Sequence, residues 1–155
     1  MTIAAGTCST ILNNSFYSCG GDAIVITTAN LSCLIANNII SEGAAFGVNS
    51  SAAVSSAVHL MNNLFYSNDS GNLNQILESQ VFGSITDDSA SPYTNAGSDD
   101  FSLKSTSNGK AVGFPGLFLG ETATGYLDVG AVQRQEAGGG GTKPIPVSMT
   151  GGIIT

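Results

Sequence analysis

An Asn–Asn pair that returns at a near-constant interval constrains this chain more than any other feature. Ile11-Leu12-Asn13-Asn14-Ser15-Phe16-Tyr17 recurs as Ile35-Ala36-Asn37-Asn38-Ile39-Ile40-Ser41, and again as Leu60-Met61-Asn62-Asn63-Leu64-Phe65-Tyr66. The pairs stand 24 and then 25 residues apart, with Phe16, Ile40 and Phe65 always two positions after the second Asn. A fixed period of that size, filled with short apolar runs, marks a repeat architecture in which one unit is too small to bury its own core. Ala23-Ile24-Val25-Ile26 and Ala57-Val58-His59-Leu60 supply further β-type runs. No stretch of about ten residues carries helical spacing.

The spacing therefore predicts an all-β stack in which each unit is one rung of short strands. The next rung lies about 4.8 Å along the axis, so that backbone N–H and C=O groups pair from rung to rung. Like positions then lie over one another. Phe16, Ile40 and Phe65 become an interior core stack, and Asn13, Asn14, Asn37, Asn38, Asn62 and Asn63 become a structural ladder at a turn. Stacked amides can bond up and down such a column, which removes the usual cost of burying them. A weaker fourth unit through Gln75-Ile76-Leu77-Glu78-Ser79-Gln80-Val81-Phe82 has lost the Asn pair and follows at a shorter interval, as a terminal rung would.

Composition agrees. Apolar residues make up 42% of the chain and charged residues only 10%, with Ser, Thr, Asn and 20 glycines where a helical protein would carry Lys and Glu. Only 4 Lys and Arg stand against 11 Asp and Glu, a net charge of −7. Too few cations are present to neutralise a phosphate backbone or to hold an anionic lipid surface, so no nucleic acid and no membrane are expected as partners. Met1-Thr2-Ile3-Ala4-Ala5-Gly6 lacks the basic and apolar regions of a signal peptide, and no apolar run is long enough to span a bilayer. Cys8, Cys19 and Cys33 sit inside the apolar pattern without metal-ligand spacing, which predicts buried free thiols. These features fit folding in a cytoplasm, with a virion or extracellular particle as the final location.

The Asn-Asn-x-Phe type of repeat resembles the right-handed parallel β-helices of the pectate-lyase-like superfamily. Asp100-Phe101-Ser102-Leu103-Lys104, followed by Tyr126-Leu127-Asp128-Val129-Gly130-Ala131-Val132-Gln133, is similar to the F-x-L … D-x-G-A closing segment of bacterial and phage members. Ser107-Asn108-Gly109-Lys110-Ala111-Val112-Gly113 departs from the Ser-Pro-Ala-type stretch usual between those two parts. The resemblance spans residues 8–135. It implies a short right-handed parallel β-helix of about four rungs, with a C-terminal closing segment and an extended tail.

On that basis residues 1–83 form the rungs, and 84–136 form a loop and closing segment of the same domain. A Gly-rich spacer follows at 137–142, then an extended docking tail at 143–155. The tail alternates apolar Ile145, Val147 and Met149 with prolines and ends near Ile153 and Ile154. Such a segment suits strand addition to another subunit's open edge or packing back on its own domain. Open ends of a β-helix are themselves sheet edges that need covering. A homo-oligomer is expected, a trimer being favoured by the resemblance to phage spikes, with other virion proteins as further partners of the tail.

Catalytic constellations are weak. The resemblance brings Ca²⁺-dependent lyases into view, and these need several converging acids. Asp22, Glu42 and Asp69 are 20 and 27 residues apart, off the rung spacing, and the one arginine, Arg134, lies in the closing segment. Glycoside hydrolysis needs two carboxylates facing one bond. The doublets Asp87-Asp88 and Asp99-Asp100 put neighbours on opposite faces of any strand. His59 has no nucleophile at a telling spacing, and the sequons at Asn13, Asn30, Asn49 and Asn68 carry no weight without a secretory signal.

No cofactor, metal or catalytic residue is therefore assigned. The expectation is a non-catalytic structural protein, a phage or virion component such as a capsid decoration protein or a tail spike or fibre. The alternative is a carbohydrate-binding or carbohydrate-cleaving β-helix module of a secreted protein, with Tyr17 and Tyr66 as candidate glycan contacts on a shared repeat offset.

Overall fold

A computed structural model describes residues 1–3, 9–27, 32–50, 57–86, 90–110, 112–113 and 129–132. The fold is all-β, with no α-helix among the described residues. Most of its strands are parallel and lie in stacked sheets, an arrangement compatible with a β-helix-like fold.

Among the described residues fourteen strands follow in order: β1 Thr2–Ile3, β2 Ser9–Leu12, β3 Ser15–Tyr17, β4 Ile24–Ile26, β5 Cys33–Ala36, β6 Ile39–Ser41, β7 Phe46–Ser50, β8 Val58–Met61, β9 Leu64–Tyr66, β10 Gly71–Asn74, β11 Val81–Phe82, β12 Ile85–Thr86, β13 Tyr93–Asn95 and β14 Asp100–Leu103. The first sheet runs β1-β4-β7-β10, the second β2-β5-β8-β11 and the third β3-β6-β9-β12. The chain thus visits the three sheets in turn and pairs each strand with the one laid down a pass earlier. β13 and β14 form a separate antiparallel hairpin.

Register follows the repeat. Ile11 pairs with Ile35 and Ile35 with Leu60, while Phe16 pairs with Ile40 and Ile40 with Phe65. The inward positions form one core: Ile3, Ile11, Ile24, Ile26, Ile35, Ile40, Val48, Val58, Leu60 and Phe65 are buried together, with Phe16 packed at its edge. Stacked β-branched side chains suit this geometry, because they are stiff and pack well against their neighbours on a pleated surface.

Short strands need sharp corners, and two are set by left-handed backbone. Asn13, Asn37 and Asn62 have φ of 56°, 56° and 50° at the turn from the second sheet to the third, and Gly83 stands at the same place with φ 57°. Asn tolerates this region better than other side-chain-bearing residues, and Gly adopts it freely. Ser18, Glu42 and Ser67 make the next corner, with φ of 49°, 54° and 52°. The pairing continues through Thr86, so Gly83-Ser84 is the fourth member of the Asn–Asn series.

A second, outer core lies on the far face of the third sheet. Ile39, Leu64, Tyr93, Leu103 and Val129 are buried there, with Tyr17, Ala96 and Phe101 packed against them. The β13–β14 hairpin and the Val129–Val132 segment supply the covering side. This is where the Phe101-Ser102-Leu103 and Val129-Gly130-Ala131 portions of the closing segment meet the sheets, Asp128 lying outside the described residues.

Candidate functional site

The two members of each Asn pair do different work. The first takes the corner conformation; the second points inward and forms the ladder. Asn38 is fully buried, and its Nδ2 donates to Asn63 Oδ1 at 3.0 Å, to Ile11 O at 2.9 Å and to Ala36 O at 3.0 Å. Its Oδ1 accepts from Asn14 N at 2.9 Å and from Asn14 Nδ2 at 3.1 Å. Asn63 repeats the pattern, accepting from Asn38 N at 3.0 Å and donating to Ile35 O at 2.8 Å. Ser84 ends the column, its Oγ accepting from Asn63 N at 3.3 Å. Asn38 is therefore bonded to the passes on both sides of it, and both polar atoms of the buried Asn63 amide are engaged toward the Asn38 pass, as burial of a polar group demands.

Two further polar columns were not apparent in the repeat. Asn68 is nearly buried; its Oδ1 accepts from Gly43 N at 3.2 Å and its Nδ2 donates to Ile40 O at 3.1 Å. On the first sheet Asn49 Nδ2 donates to Asp22 Oδ2 at 2.6 Å, and Asn74 Nδ2 to Asn49 Oδ1 at 2.9 Å. The signal available for both was the same offset, since Asn68 follows Gly43 by 25 residues and Asn74 follows Asn49 by 25.

Tyr17 and Tyr66 occupy one column on the third sheet with Ser41 between them. They are thus two strand spacings apart, about 9.6 Å, rather than ring on ring. Tyr17 instead meets aromatic rings of the hairpin edge-on: Phe101 at 5.5 Å and Tyr93 at 5.9 Å between centroids, with Tyr93 and Phe101 themselves 5.3 Å apart. Such T-shaped contacts align the positive ring edge with the negative face. The sequence reading singled out Phe101 only within the closing motif and Tyr93 not at all, because both lie far from the repeat.

The Glu42 carboxylate beside Tyr17 raises the phenol above its ordinary value, with loss of hydration adding to the shift. Burial raises Tyr93 most; the Ser15 and Ser41 hydroxyls oppose that, and Glu42 and Tyr17 add to it. Those serines stand near the Tyr93 hydroxyl, yet neither it nor Ser41 Oγ makes a well-formed hydrogen bond among the described residues. Ser15 Oγ is committed elsewhere, accepting from Ala131 N at 3.1 Å.

No known protein family matches this sequence, and neither a curated protein nor a solved structure is detectably similar to it.

The remaining polar candidates are spread over the surface. Asp22 accepts from Phe46 N at 2.9 Å as well as from Asn49, and so fixes the start of β7. Glu42 sits at a left-handed corner, and Asp69 lies in the turn before β10, where its N–H bonds Gly43 O at 2.9 Å. Asp99 takes φ 60° after a single 3-10 turn at Ala96–Ser98. Asp100 accepts from Ser102 Oγ at 2.6 Å and Ser102 N at 3.1 Å, and these two bonds lower its pKa. Among the described residues no three His, Cys, Asp or Glu side chains converge as a metal site would require. His59 is exposed on the second sheet, its ring 5.9 Å from that of Phe82. Cys19 is half-buried and Cys33 buried, both as free thiols. Cys8, the Asp87-Asp88 doublet, Arg134 and the tail residues Ile145, Val147, Met149, Ile153 and Ile154 lie outside the described residues.

Proposed function

We propose that this chain is a non-catalytic structural protein, folded as a short right-handed parallel β-helix of the pectate-lyase-like kind with about four rungs. It assembles as a homo-oligomer, a trimer, and serves as a virion component such as a capsid decoration protein or part of a tail spike or fibre. The single observation that carries this reading is the use made of its polar side chains. The buried amides go to ladder bonds between strands, and Asp22 and Asp100 are engaged in local backbone and side-chain bonds. A fold that spends its polar groups on its own repeat is suited to rigidity rather than to chemistry. The sequence resemblance to phage β-helix proteins supplies the virion setting, and the apolar tail supplies the means of assembly.

Light scattering of the purified full chain tests the proposal. A mass of three chains, held on dilution, is expected; a single-chain mass at every concentration contradicts it.

The second reading, a carbohydrate-binding module, draws on the half-buried column of Tyr17 and Tyr66, but the Tyr17 ring packs against Phe101 and Tyr93. Glycan binding that disappears in a Tyr17→Ala/Tyr66→Ala double variant would favour it over the structural reading.

A further inference from the structure

In the stacked sheets the backbone nitrogens that follow Asn13, Asn37, Asn38, Asn63 and Asn68 are all tied to a neighbouring pass. The N–H groups of Asn14 and Asn38 donate to Asn38 Oδ1 and Asn63 Oδ1. Those of Ile39 and Leu64 donate to Asn14 O and Asn38 O, both at 2.9 Å, and that of Asp69 to Gly43 O at 2.9 Å. These nitrogens matter chemically, because an asparagine loses its amide when the next residue's nitrogen attacks the side-chain carbonyl carbon. The repeat therefore protects its amides with the same bonds that stack it.

Asn108 stands outside that protection. It is exposed in a turn closed by Lys110 N–H on Ser107 O at 3.3 Å. The residue after it is Gly109, and this is the one Asn-Gly step in the sequence. The Gly109 N–H is held within the turn itself, by the Ser107 hydroxyl at 3.1 Å, two residues away. Glycine also carries no Cβ to obstruct an approach by its own nitrogen.

The same glycine holds the closing segment in place. Gly109 O accepts from Val129 N at 3.0 Å. A Cβ on Gly109 would lie 2.6 Å from Val129 Cγ2 and 3.4 Å from Leu64 Cδ1. Val129 and Leu64 are both fully buried in the outer core. The main chain at Gly109 therefore has no room to shift unless Val129 moves with it.

We propose that Asn108 is a site of spontaneous modification whose reaction loosens the closing segment as the chain ages. The Gly109 nitrogen attacks Asn108 Cγ and a C–N bond forms. The side-chain nitrogen leaves as ammonia, carrying the proton that Gly109 gives up. The cyclic imide then takes up one water. Opening at Cγ yields aspartate; opening at the backbone carbonyl yields isoaspartate, which routes the main chain through an extra methylene. Nothing is oxidised or reduced. Either product adds a negative charge, and the isoaspartate pushes Gly109 off Val129. The inference stands whether or not the chain assembles.

Ageing the purified full chain under mildly alkaline conditions, followed by tryptic mapping, tests it. Trypsin cuts after Lys104 and Lys110, and in the peptide 105–110 Asn108 is the only side-chain amide. That peptide should acquire the mass of a carboxylate in place of the amide, divided between two products of equal mass that separate on chromatography. The peptide 1–104, which carries the ladder asparagines, should keep its mass over the same period. Limited proteolysis near residue 130 should become faster in the aged chain. Asn108→Gln, a change at an exposed position, should hold the rate of the fresh protein when aged alongside. An Asn108 that stays intact in the folded chain while the free peptide 105–110 converts would overturn the proposal. So would gain of mass in 1–104 before 105–110, or full conversion of Asn108 with the cleavage rate near residue 130 unchanged.

Discussion

Asn38 and Asn63 are joined by two hydrogen bonds to one oxygen: the backbone N–H and the side-chain amide of Asn38 both donate to Asn63 Oδ1, each at 3.0 Å. The relation ties a corner to the corner above it through a side chain that is itself fully buried. Truncating Asn38 would leave Asn14 N without its acceptor and remove the amide bonds to Asn63 Oδ1 and to the Ile11 and Ala36 carbonyls, while the Asn38 N–H still reaches Asn63 Oδ1 and the Asn13 N–H still reaches Ala36 O. Each buried polar group left unpaired costs about 1–3 kcal/mol. Asn38→Ala should therefore lower unfolding free energy by ~3 kcal/mol or more, read from the urea midpoint. Asn14→Ala, at the exposed end of the same ladder, should cost about 1 kcal/mol. Equal losses at the two positions would contradict the ladder.

The first Asn of each pair takes a left-handed corner, and at Asn13 it is the conformation rather than the amide oxygen that holds the residue. Asn13 has φ 56°, and its Oδ1 is buried without a partner. Asn13→Gly should be close to neutral, as Gly83 at the equivalent corner suggests, whereas Asn13→Val should cost about 1–2 kcal/mol. Denaturant curves of the two variants check this, and a Val variant as stable as the Gly variant would remove the argument.

Gly130 brings the closing segment against the third sheet. Its φ is 95°, its N–H reaches Asn37 O at 2.6 Å, and an added Cβ would lie 2.6 Å from Ile39 Cδ1 and 3.0 Å from Ser15 Oγ. Gly130→Ala should push this segment off the outer face, with loss of about 2 kcal/mol or more and faster limited proteolysis near residue 130. An unchanged cleavage rate would mean that the segment is held by other contacts.

Tyr93 predicts the alkaline limit of stability. Its folded pKa lies above the ordinary 10.0, chiefly through burial, and Tyr17 is shifted the same way chiefly by Glu42. The folded chain then keeps protons that the unfolded chain releases. Stability is full below about pH 10 and falls as the pH rises through the folded value. Tyr93→Phe removes an unpaired buried hydroxyl. It should leave stability at pH 7 unchanged or up to ~1 kcal/mol higher, and make the alkaline decline shallower. Urea midpoints at neutral and alkaline pH measure both effects, and a marked loss at pH 7 would show that the hydroxyl is bonded after all.

The parallel, stacked all-β arrangement was legible because a repeat period near 24 residues leaves few other ways to bury Ile11, Ile35 and Leu60. The division of labour within each Asn pair was not, since a left-handed corner and an inward amide look identical in sequence. The second corner was hidden for a different reason. Ser18, Glu42 and Ser67 share a backbone conformation, but a glutamate stands between the two serines, so their period leaves only a broken trace in the composition. The outer core was hidden by distance, because Tyr17 meets Tyr93 and Phe101 only after the hairpin folds back. The closing motif pointed to its own importance, but why Gly130 must be glycine required the Ile39 contact.

The claim that this chain is an assembling structural part is tested most directly by comparing two solution masses. One would be the full chain and the other would stop after Glu136. The account predicts a trimer for the longer chain and a monomer for the shorter, making the tail the clasp between subunits. A monomer in both would contradict it.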